Sequence, residues 1–360
     1  MKKLSLLVLF GGISSEHKVS RISAFNVLQG LDLQKYNPYI IGITKQGKWL
    51  LFESTDYSPI RDGSWETSEF STLAFLSPDR IVHGITVIRN NNIENIHIDC
   101  VFPVLHGIGG EDGTVQGLCE LAGIPYVGPG IASSANSMDK SLTKILIEQT
   151  GIKQAGYYLI KRKDFFVDKM MVLYRVCNKL NKFPLFVKPC RGGSSIGVSK
   201  VNSIEELERG LISAFTYDDK VLVEEYINGR EIIIAVLGNE LPIASIAGEI
   251  VPKQEFYTYD AKYNDDATEL HIPARISAEA MKTVRDCAIQ VYEALDCNCF
   301  SRVDFFYCPE SNDVVFNEIN TLPGYIHTNT YPALFEGKFV FSDLVDMLIN
   351  YAIQNALVAI

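Results

Sequence analysis

The chain has 360 residues, enough for two or three packed units, and 47% of them are hydrophobic while 21% are charged. No run reaches the roughly 18 consecutive apolar residues that a membrane span requires, so the composition predicts a soluble globular protein without a membrane partner. The formal net charge of -10 argues against nucleic-acid binding and favours small-molecule partners.

The cysteines and the N-terminus bear on the cellular compartment. The eight cysteines form no CxxC pair and no zinc-like cluster with histidine, which predicts reduced, mostly buried thiols. The N-terminal MKKLSLLVLFGGISSE has the basic start of a secretory signal, but its apolar run is short and no A-x-A-like cleavage site follows. A buried first strand that enters a glycine turn explains the segment better. We therefore expect a cytoplasmic location.

The first part of the chain is typical of a parallel α/β unit, predicted over residues 1-128. LSLLVLF predicts a buried strand, GGISSE a glycine turn, and KVSRISAFNVLQGL a helix that Ser14 or Ser15 can cap. NPYIIGIT and IDCVFPVLHG predict further buried strands. Residues 53 to 98 between them are weakly patterned.

Two further units are predicted, over residues 129-228 and 229-360. In the first, a helix in DKSLTKILIEQTG ends at Gly151, and FPLFVKP, VSKV and KVLVEEYI are strands, with a helix from Ser203 to about Phe215. In the second, REIIIAVLGN, LPIASIAGEI, SRVDFFYC and DVVFNEIN predict a mainly antiparallel sheet with flanking helices.

The run VKPCRGGSSIGVSK combines Lys188 with a glycine-rich turn. Glycines allow successive backbone N-H groups to converge on phosphate oxygens, and the lysine adds a positive charge. The run is not a Walker A loop, because no GK[ST] follows and the next predicted element is a strand. An ordinary hairpin turn is the alternative, and the lysine favours nucleotide binding.

Polar residues interrupt the two strands of a predicted hairpin, SRVDFFYCPESNDVVFNEIN. The two-residue period of a strand places Arg302 and Asp304 on one face, and Glu318 and Asn320 on one face of the partner strand. If the two faces coincide, two carboxylates and an amide oxygen form a site suited to Mg2+. Surface charges on an exposed sheet are the alternative, which the apolar neighbours make less favourable.

Carboxylates also cluster in VLVEEYINGREI, which holds Glu224, Glu225 and Glu231. Carboxylates at a hinge can accept hydrogen bonds from ribose hydroxyls while the flanking backbone contacts adenine. A solvated acidic edge is the alternative, and it would be preferred if the other motifs were absent.

Two single residues are further candidates. Lys140 begins a predicted helix beside Asp139, so it forms either an exposed ion pair or a phosphate contact. His106, in VLHGIGGEDG, follows a predicted strand end, where α/β folds bind ligands. A lone histidine in a loop is nevertheless more often structural.

Together these motifs resemble the ATP-grasp ligases and, within them, the D-alanine-D-alanine ligase family. The resemblance covers nearly the whole chain in the family's order, through LFGGISSEHKVS, LHGIGGEDGTVQGLCELAGIPYVGPG, SMDKSLTK, FVKPCRGGSSIGVSKV, VEEYINGREI, GEIVPKQEFYTYDAKY, SRVDFF and NEINTLPG. It implies an α/β fold, α+β in its C-terminal part, with three ATP-grasp subdomains of which the first is the parallel α/β domain. It also implies a homodimer.

The resemblance implies that ATP lies between the second and third subdomains with two Mg2+ ions, Mn2+ being the alternative ion. A loop of about residues 256 to 269 would close over the reacting centre. The implied site residues are Lys140, Lys188, Glu224, Glu225, Ile227, Glu231 and Lys262 for ATP, Asp304, Glu318 and Asn320 for metal, His106, Lys262, Asn329 and Thr330 for substrate binding, and Glu16, Ser194, Tyr263, Arg302 and Gly324 for catalysis.

The resemblance also implies a two-step reaction for the synthesis of peptidoglycan precursors. The carboxylate of a first D-alanine attacks the γ-phosphate of ATP, and the amine of a second D-alanine then attacks the resulting acyl phosphate. Glu16 would bind the first ammonium, supported by Ser194 and Tyr263, while Arg302 and the Gly324 N-H would stabilise the oxyanion. Loop closure would exclude water from the acyl phosphate.

One segment departs from the family pattern, which implies alternative functions. Where the family usually shows GFTxxSMYP, this chain has GYIHTNTYP, with Ile326, Asn329 and Thr330 at the changed positions. In the family, the serine at the position of Asn329 and the backbone amide at the position of Thr330 normally receive the carboxylate of the second substrate. The changed pair implies D-serine or D-lactate as an alternative second substrate. Lys262 and Tyr263 in DAKY favour the dipeptide-forming reaction. A non-catalytic ATP-binding regulator is a third hypothesis, disfavoured by the retained metal and oxyanion residues.

Overall fold

The computed structural model describes residues 2–252, 268–325, 330–335 and 337–358. The first unit is built on a seven-stranded sheet in the order β6-β5-β4-β3-β2-β1-β7. Its strands are β1 (Leu4–Gly11), β2 (Tyr36–Ile43), β3 (Trp49–Phe52), β4 (Ser71–Leu76), β5 (Gly84–Arg89), β6 (Asn92–His97) and β7 (Cys100–Val104). Its helices are α1 (His17–Gly30), α2 (Ser58–Asp62), α3 (Thr114–Ala122) and a short 3-10 helix (Ser64–Thr67).

This sheet is only partly parallel. β1 pairs in parallel with β2 and β7, and its residues from Leu6 to Phe10 are fully buried, as expected for a central strand covered on both faces. β3 to β6 extend the sheet through antiparallel pairings. The weakly patterned residues 53 to 98 therefore contain three strands that the sequence did not predict, because their apolar runs are short and β6 is almost entirely exposed.

The second unit contains a four-stranded antiparallel sheet in the order β10-β9-β11-β8. The predicted helix from Ser203 to about Phe215 is confirmed, and Ser203 is its N-cap, since the Ser203 side chain accepts a hydrogen bond from the Glu206 N-H. The strands are β8 (Tyr157–Lys161), β9 (Leu185–Pro189), β10 (Ser199–Val201) and β11 (Lys220–Glu225), and the helices are α4 (Ile131–Met138), α5 (Lys140–Glu148), α6 (Arg162–Val167), α7 (Lys169–Lys179) and α8 (Ile204–Ala214).

The third unit is the predicted antiparallel sheet. Its strands run in the order β15-β14-β12-β16-β17, and β13 also pairs with β12. They are β12 (Arg230–Leu237), β13 (Ile243–Ala244), β14 (Gly248–Pro252), β15 (Thr268–His271), β16 (Phe300–Cys308) and β17 (Asp313–Asn320), with helices α9 (Ala278–Ala294), α10 (Thr330–Leu334) and α11 (Phe341–Val358). β15 begins at Thr268, within the predicted loop of about residues 256 to 269, and residues 256 to 267 of that loop lie outside the described ranges.

The N- and C-terminal units share one buried core. Leu6 and Phe10 of β1 belong to the same buried cluster as Phe300 of β16 and as Leu344 and Leu348 of α11. α11 contacts α1 and β7 of the first unit. The divisions after residues 128 and 228 stay predictions, but the last helix completes the N-terminal core.

The described ranges bear on two features, the state of the cysteines and the presence of membrane-spanning helices. All eight cysteines are thiols and five of them are buried, which confirms the prediction of reduced, mostly buried cysteines. No described helix is both long enough and apolar enough to cross a bilayer.

Candidate active site

A cavity of about 1020 Å³ lies where the three units meet. The first unit contributes the start of α1 and the loop after β7, the second contributes the glycine-rich loop between β9 and β10, and the third contributes β12, β16 and β17. The cavity wall includes the predicted site residues Glu16, His106, Lys140, Lys188, Ser194, Glu224, Glu225, Ile227, Glu231, Arg302, Asp304, Glu318, Asn320 and Gly324. The fold therefore brings together residues that are distant in sequence.

The predicted hairpin is formed by β16 and β17, and its polar residues share one face. Arg302 pairs with Asn320 across the ladder, and Asp304 pairs with Glu318. The Arg302 guanidinium donates two hydrogen bonds to the Asp304 carboxylate, each of 2.7 Å. The Asn320 amide nitrogen also lies 3.3 Å from that carboxylate. The prediction that the two polar faces coincide is confirmed.

This face supplies oxygen donors that fit Mg2+. Asp304, Glu318 and Asn320 offer two carboxylates and an amide oxygen, the hard ligands that Mg2+ prefers. Within the described residues, no group of three or more histidine, cysteine, aspartate or glutamate side chains is arranged to hold a metal. Such a sparse donor set suits an ion whose remaining ligands are water and substrate phosphates.

Two lysines bracket a buried carboxylate at the wall formed by β9 and β11. Lys188 Nζ lies 2.5 Å from one Glu224 oxygen, and Lys144 Nζ lies 2.9 Å from the other. Burial alone would raise the pKa of the Glu224 carboxyl, but the two ammonium groups outweigh it and hold the pKa at about 2. Lys144 was not predicted from the sequence, although its position four residues after Lys140 places both on one helix face.

Lys140 contacts the glycine-rich loop rather than the preceding aspartate. Its Nζ donates to the Gly192 carbonyl oxygen over 2.8 Å and lies 3.7 Å from a Glu318 oxygen. Asp139 is buried and forms its ion pair with Lys220. The alternative of an exposed Asp139–Lys140 pair is therefore wrong, and the Lys140 ammonium lies beside the oxygen donors of the hairpin.

The glycine-rich loop reaches across the cavity to the start of α1. Ser194 is buried, and its hydroxyl donates to the Glu16 carboxylate. Ser194 and Ser195 have φ values of 51° and 58°, which are uncommon for residues with a side chain and are often found at functional sites. A Cβ atom on Gly193 would lie only 2.7 Å from a Glu16 oxygen, so an alanine at this position would require the Glu16 carboxylate to shift.

Glu16 itself is the N-cap residue of α1. The predicted capping by Ser14 or Ser15 is wrong, because no side chain caps this helix and α1 begins at His17. Ser14 instead accepts a hydrogen bond of 3.1 Å from the Glu16 N-H. Glu16 lines the cavity, and only 9% of the residue is exposed.

His106 is buried and bridges two loops. Its Nδ1 donates to the Leu322 carbonyl oxygen over 2.9 Å, and its Nε2 lies 3.4 Å from the Ser23 hydroxyl. Because a carbonyl oxygen only accepts, Nδ1 carries the proton of the ring. Burial lowers the pKa of His106, although the nearby Glu16 carboxylate partly opposes this effect. These contacts favour a structural role for the ring within the cavity wall.

Glu111 is a cavity residue that was not predicted from the sequence. Its carboxylate accepts the Gly107 N-H over 2.7 Å and the Leu322 N-H over 3.3 Å. Burial, followed by the negative charge of Glu16, raises the pKa of Glu111 above its usual range. The sequence did contain a signal for this residue, because Glu111 is a charged residue inside the glycine-rich run HGIGGEDG that follows a buried strand.

The carboxylates near the end of β11 are arranged differently from one another. Glu225 is exposed, and its side chain accepts the Gly156 N-H over 2.7 Å, so that carboxylate ties two loops together. Ile227 and Glu231 are partly buried in the cavity wall. Their positions are compatible with the predicted contacts to adenine and ribose.

Several predicted residues lie outside the described ranges. Lys262, Tyr263 and Asn329 are among them, together with Ile326 of the departing segment. Thr330 begins α10, and its backbone is described. The roles expected of these residues stay predictions.

Comparison with known proteins agrees with the motifs. The family model D-ala D-ala ligase N-terminus matches residues 5–129, and D-ala D-ala ligase C-terminus matches residues 146–350. The D-alanine-D-alanine ligase of Clostridium acetobutylicum is 46% identical over 355 residues, 98% of each chain. That of Caldicellulosiruptor bescii is 45% identical over 356 residues, 99% of this chain and 96% of the relative.

Solved structures show the same fold. The VanG D-Ala:D-Ser ligase from Enterococcus faecalis has a TM-score of 0.88 and 39% identity, covering 98% of this chain and all of that one (100%). The D-alanine-D-alanine ligase from Coxiella burnetii has a TM-score of 0.84 and 32% identity, covering 99% of this chain and 97% of that one. This chain therefore belongs to the D-alanine-D-alanine ligase family of ATP-grasp enzymes.

Proposed function

We propose that the protein joins two D-alanines with ATP to form D-alanyl-D-alanine for peptidoglycan precursors. The observation that carries the proposal is the single cavity that unites the polar face of the β16–β17 hairpin, the lysines and the buried Glu16–Ser194 pair. A binding module would not need an arginine, oxygen donors for a metal and a buried carboxylate to converge on one space.

The first step transfers the γ-phosphoryl group of ATP to a D-alanine carboxylate. Lys140 and Lys188 lie where their ammonium groups can neutralise phosphate charge. Glu16, aligned by the Ser194 hydroxyl, would bind the ammonium of that D-alanine. Asp304, Glu318 and Asn320 would hold Mg2+, which supplies charge neutralisation between the phosphates. The products of this step are ADP and a D-alanyl phosphate.

The second step forms the peptide bond. The amine of a second D-alanine attacks the acyl phosphate carbonyl, and inorganic phosphate leaves with the electrons of the broken C-O bond. Arg302 and Gly324 both line the cavity, and the Arg302 guanidinium and the Gly324 N-H are proposed to stabilise the oxyanion. Lys262 and Tyr263 are proposed to lie on the loop that excludes water.

A second candidate function uses a different second substrate. The changed Asn329–Thr330 pair and the structural similarity to a ligase titled D-Ala:D-Ser ligase both favour D-serine. The curated relatives at 45% and 46% identity are named D-alanine-D-alanine ligases, and this favours the dipeptide. The cytoplasmic location and the homodimer remain predictions.

Product identification tests both candidates. The purified chain is incubated with ATP, Mg2+ and D-alanine, alone and in competition with D-serine or D-lactate, and the products are identified by mass spectrometry. D-alanyl-D-alanine as the preferred product supports the proposal, whereas preference for a mixed product supports the second candidate. ATP binding without any product would leave only the non-catalytic regulator.

A further inference from the structure

The turn that carries Gly324 is held at both ends by the first unit of the protein. At the start of the turn, the Leu322 N-H donates to Glu111 over 3.3 Å, and the Leu322 carbonyl accepts from His106 over 2.9 Å. The backbone N-H and carbonyl of Leu322 are therefore both hydrogen-bonded to side chains of the loop after β7. Movement of that loop would move the turn.

The other end of the turn is bonded to α1. The Tyr325 N-H donates to the Ser23 hydroxyl over 2.9 Å, and the Tyr325 carbonyl accepts from the Asn26 amide over 2.6 Å. Ser23 is fully buried, so its hydroxyl is shielded from competing water. Two side chains one turn apart on α1 thus fix the residue that follows Gly324.

Between these anchors, the Gly324 N-H differs from its neighbours. Pro323 has no N-H, and both Leu322 and Tyr325 donate theirs to the first unit. None of the described residues accepts a hydrogen bond from the Gly324 N-H. Gly324 lines the cavity, so its N-H is the one donor of this turn that substrate can use.

Glu111 also joins the turn to the part of the cavity that contains Glu16. Its second oxygen accepts the Gly107 N-H over 2.7 Å, and a Cβ on Gly107 would lie 2.9 Å from a Glu16 oxygen. One carboxylate therefore fixes both the loop that contacts Glu16 and the turn that presents Gly324. Placing a carboxylate in this wall costs desolvation energy, and the two N-H donors offset part of that cost.

We propose that Glu111, Ser23 and Asn26 are positioning residues that aim the Gly324 N-H at the carbonyl oxygen of the acyl phosphate. The inference rests on the proposed function, because it requires an acyl-transfer step. These side chains act through hydrogen bonds to Leu322 and Tyr325 and contact no reacting atom. Their removal should therefore slow peptide-bond formation more than phosphoryl transfer.

The test separates the two steps in Glu111→Gln and Ser23→Ala. Glutamine keeps the shape of Glu111 but turns an NH2 group towards one of its two donors, the Gly107 N-H and the Leu322 N-H. Ser23→Ala removes the acceptor of the Tyr325 N-H. Formation of D-alanyl-D-alanine gives the overall rate, and positional isotope exchange in ATP carrying oxygen-18 in the β-γ bridge reports reversible acyl phosphate formation. Glu120→Gln is the matched control, because Glu120 is exposed on α3.

We expect kcat for the dipeptide to fall roughly 10- to 100-fold in both variants, while isotope exchange and the KM for ATP stay within about threefold. Equal losses in ligation and exchange, or unchanged ligation in both variants, would overturn the inference. If Glu111→Gln does not fold, Ser23→Ala decides alone. Absence of dipeptide from the wild-type chain would reject the proposed function instead, so the two failures are distinguishable.

Discussion

Arg302, on β16, forms an ion pair and also lines the cavity. Its guanidinium forms a two-bond ion pair with Asp304, and Arg302 lines the same cavity as Gly324. The side chain is 29% exposed, so the ion pair is partly screened and contributes modestly to stability. A role in the reaction explains the arginine better than a role in the fold.

Replacing Arg302 with alanine should reduce kcat for ligation about 100-fold or more, because one donor to the oxyanion is lost. The affinity for ATP, measured by calorimetry, should change less than about threefold. Arg302→Lys should recover only part of kcat, since lysine keeps the charge but lacks the two-pronged geometry. Arg209→Ala, on the surface of α8, serves as the control. Wild-type turnover in Arg302→Ala would contradict the proposed mechanism.

The ionised Glu224 carboxylate should make the stability of the fold depend on pH in the acidic range. Its pKa is about 2 in the folded chain, below the ordinary value of 4.5, because Lys188 and Lys144 outweigh the opposing effect of burial. A carboxyl with a lowered pKa stabilises the fold above its unfolded pKa, and this contribution is lost as pH falls from about 4.5 towards 2.

The unfolding free energy should therefore fall by about 2 kcal/mol more in the wild type than in Glu224→Gln between about pH 5.5 and pH 3. Urea titrations at the two pH values measure this difference. Glu120→Gln should follow the wild type because its carboxylate is exposed. Parallel pH curves for the wild type and Glu224→Gln would show that Glu224 is not held ionised by the lysines.

At the scale of elements, the glycine-rich loop connects the second unit to the first. The loop between β9 and β10 provides the Gly192 carbonyl that Lys140 contacts and the Ser194 hydroxyl that Glu16 accepts. Gly193 lies between them with no room for a side chain on the side of Glu16. The proposed ATP and D-alanine sites are therefore adjacent along three residues of one loop.

Gly193→Ala should raise the KM for D-alanine about tenfold, because the new Cβ would lie 2.7 Å from a Glu16 oxygen and displace that flexible carboxylate. The KM for ATP should change much less. Gly117→Ala on α3 is the control, since the nearest atom to its Cβ would be 3.9 Å away. Steady-state kinetics with each substrate varied separately measure the two KM values. An equal increase in the KM for D-alanine and the KM for ATP would contradict this assignment.

At the scale of the whole molecule, α11 links the end of the chain to its beginning. Leu344, Val345, Leu348 and Ile349 are buried in the cluster that contains β1. Tyr36 and Lys35 also contact Asp346 of this helix. The first unit therefore depends on the last helix for part of its core, and the third unit is bonded to the first both there and at the Gly324 turn.

Leu348→Ala should lower the free energy of unfolding by about 2 to 5 kcal/mol, because Leu348 is 0% exposed and its truncation leaves a cavity in the shared core. Asn350→Ala, on the exposed side of the same helix, should change it by less than about 0.5 kcal/mol. Urea unfolding followed by circular dichroism measures both. Similar stability of the two variants would show that α11 is not part of that core.

The sequence by itself determined the features that depend on local periodicity and on short motifs. The two-residue period of strands was sufficient to place Arg302 with Asp304, and Glu318 with Asn320, because alternation of side chains is a property of one strand. The helix predicted from Ser203 to about Phe215 likewise agrees with α8, because helical periodicity is a local property of the sequence. The motifs around Lys188 and Glu16 identified the family, and nearly the whole chain matched its relatives.

Tertiary structure alone decided the contacts that cross between units. Lys144 and Glu224 are 80 residues apart in the sequence, and Glu111 and Leu322 are 211 residues apart, so no local pattern relates them. The strands β4 to β6 were also missed, because partners across a sheet supply the burial that their short apolar runs do not reveal. Pairings of this kind form only when packing brings distant segments to one place, and that packing orients the residues of the cavity.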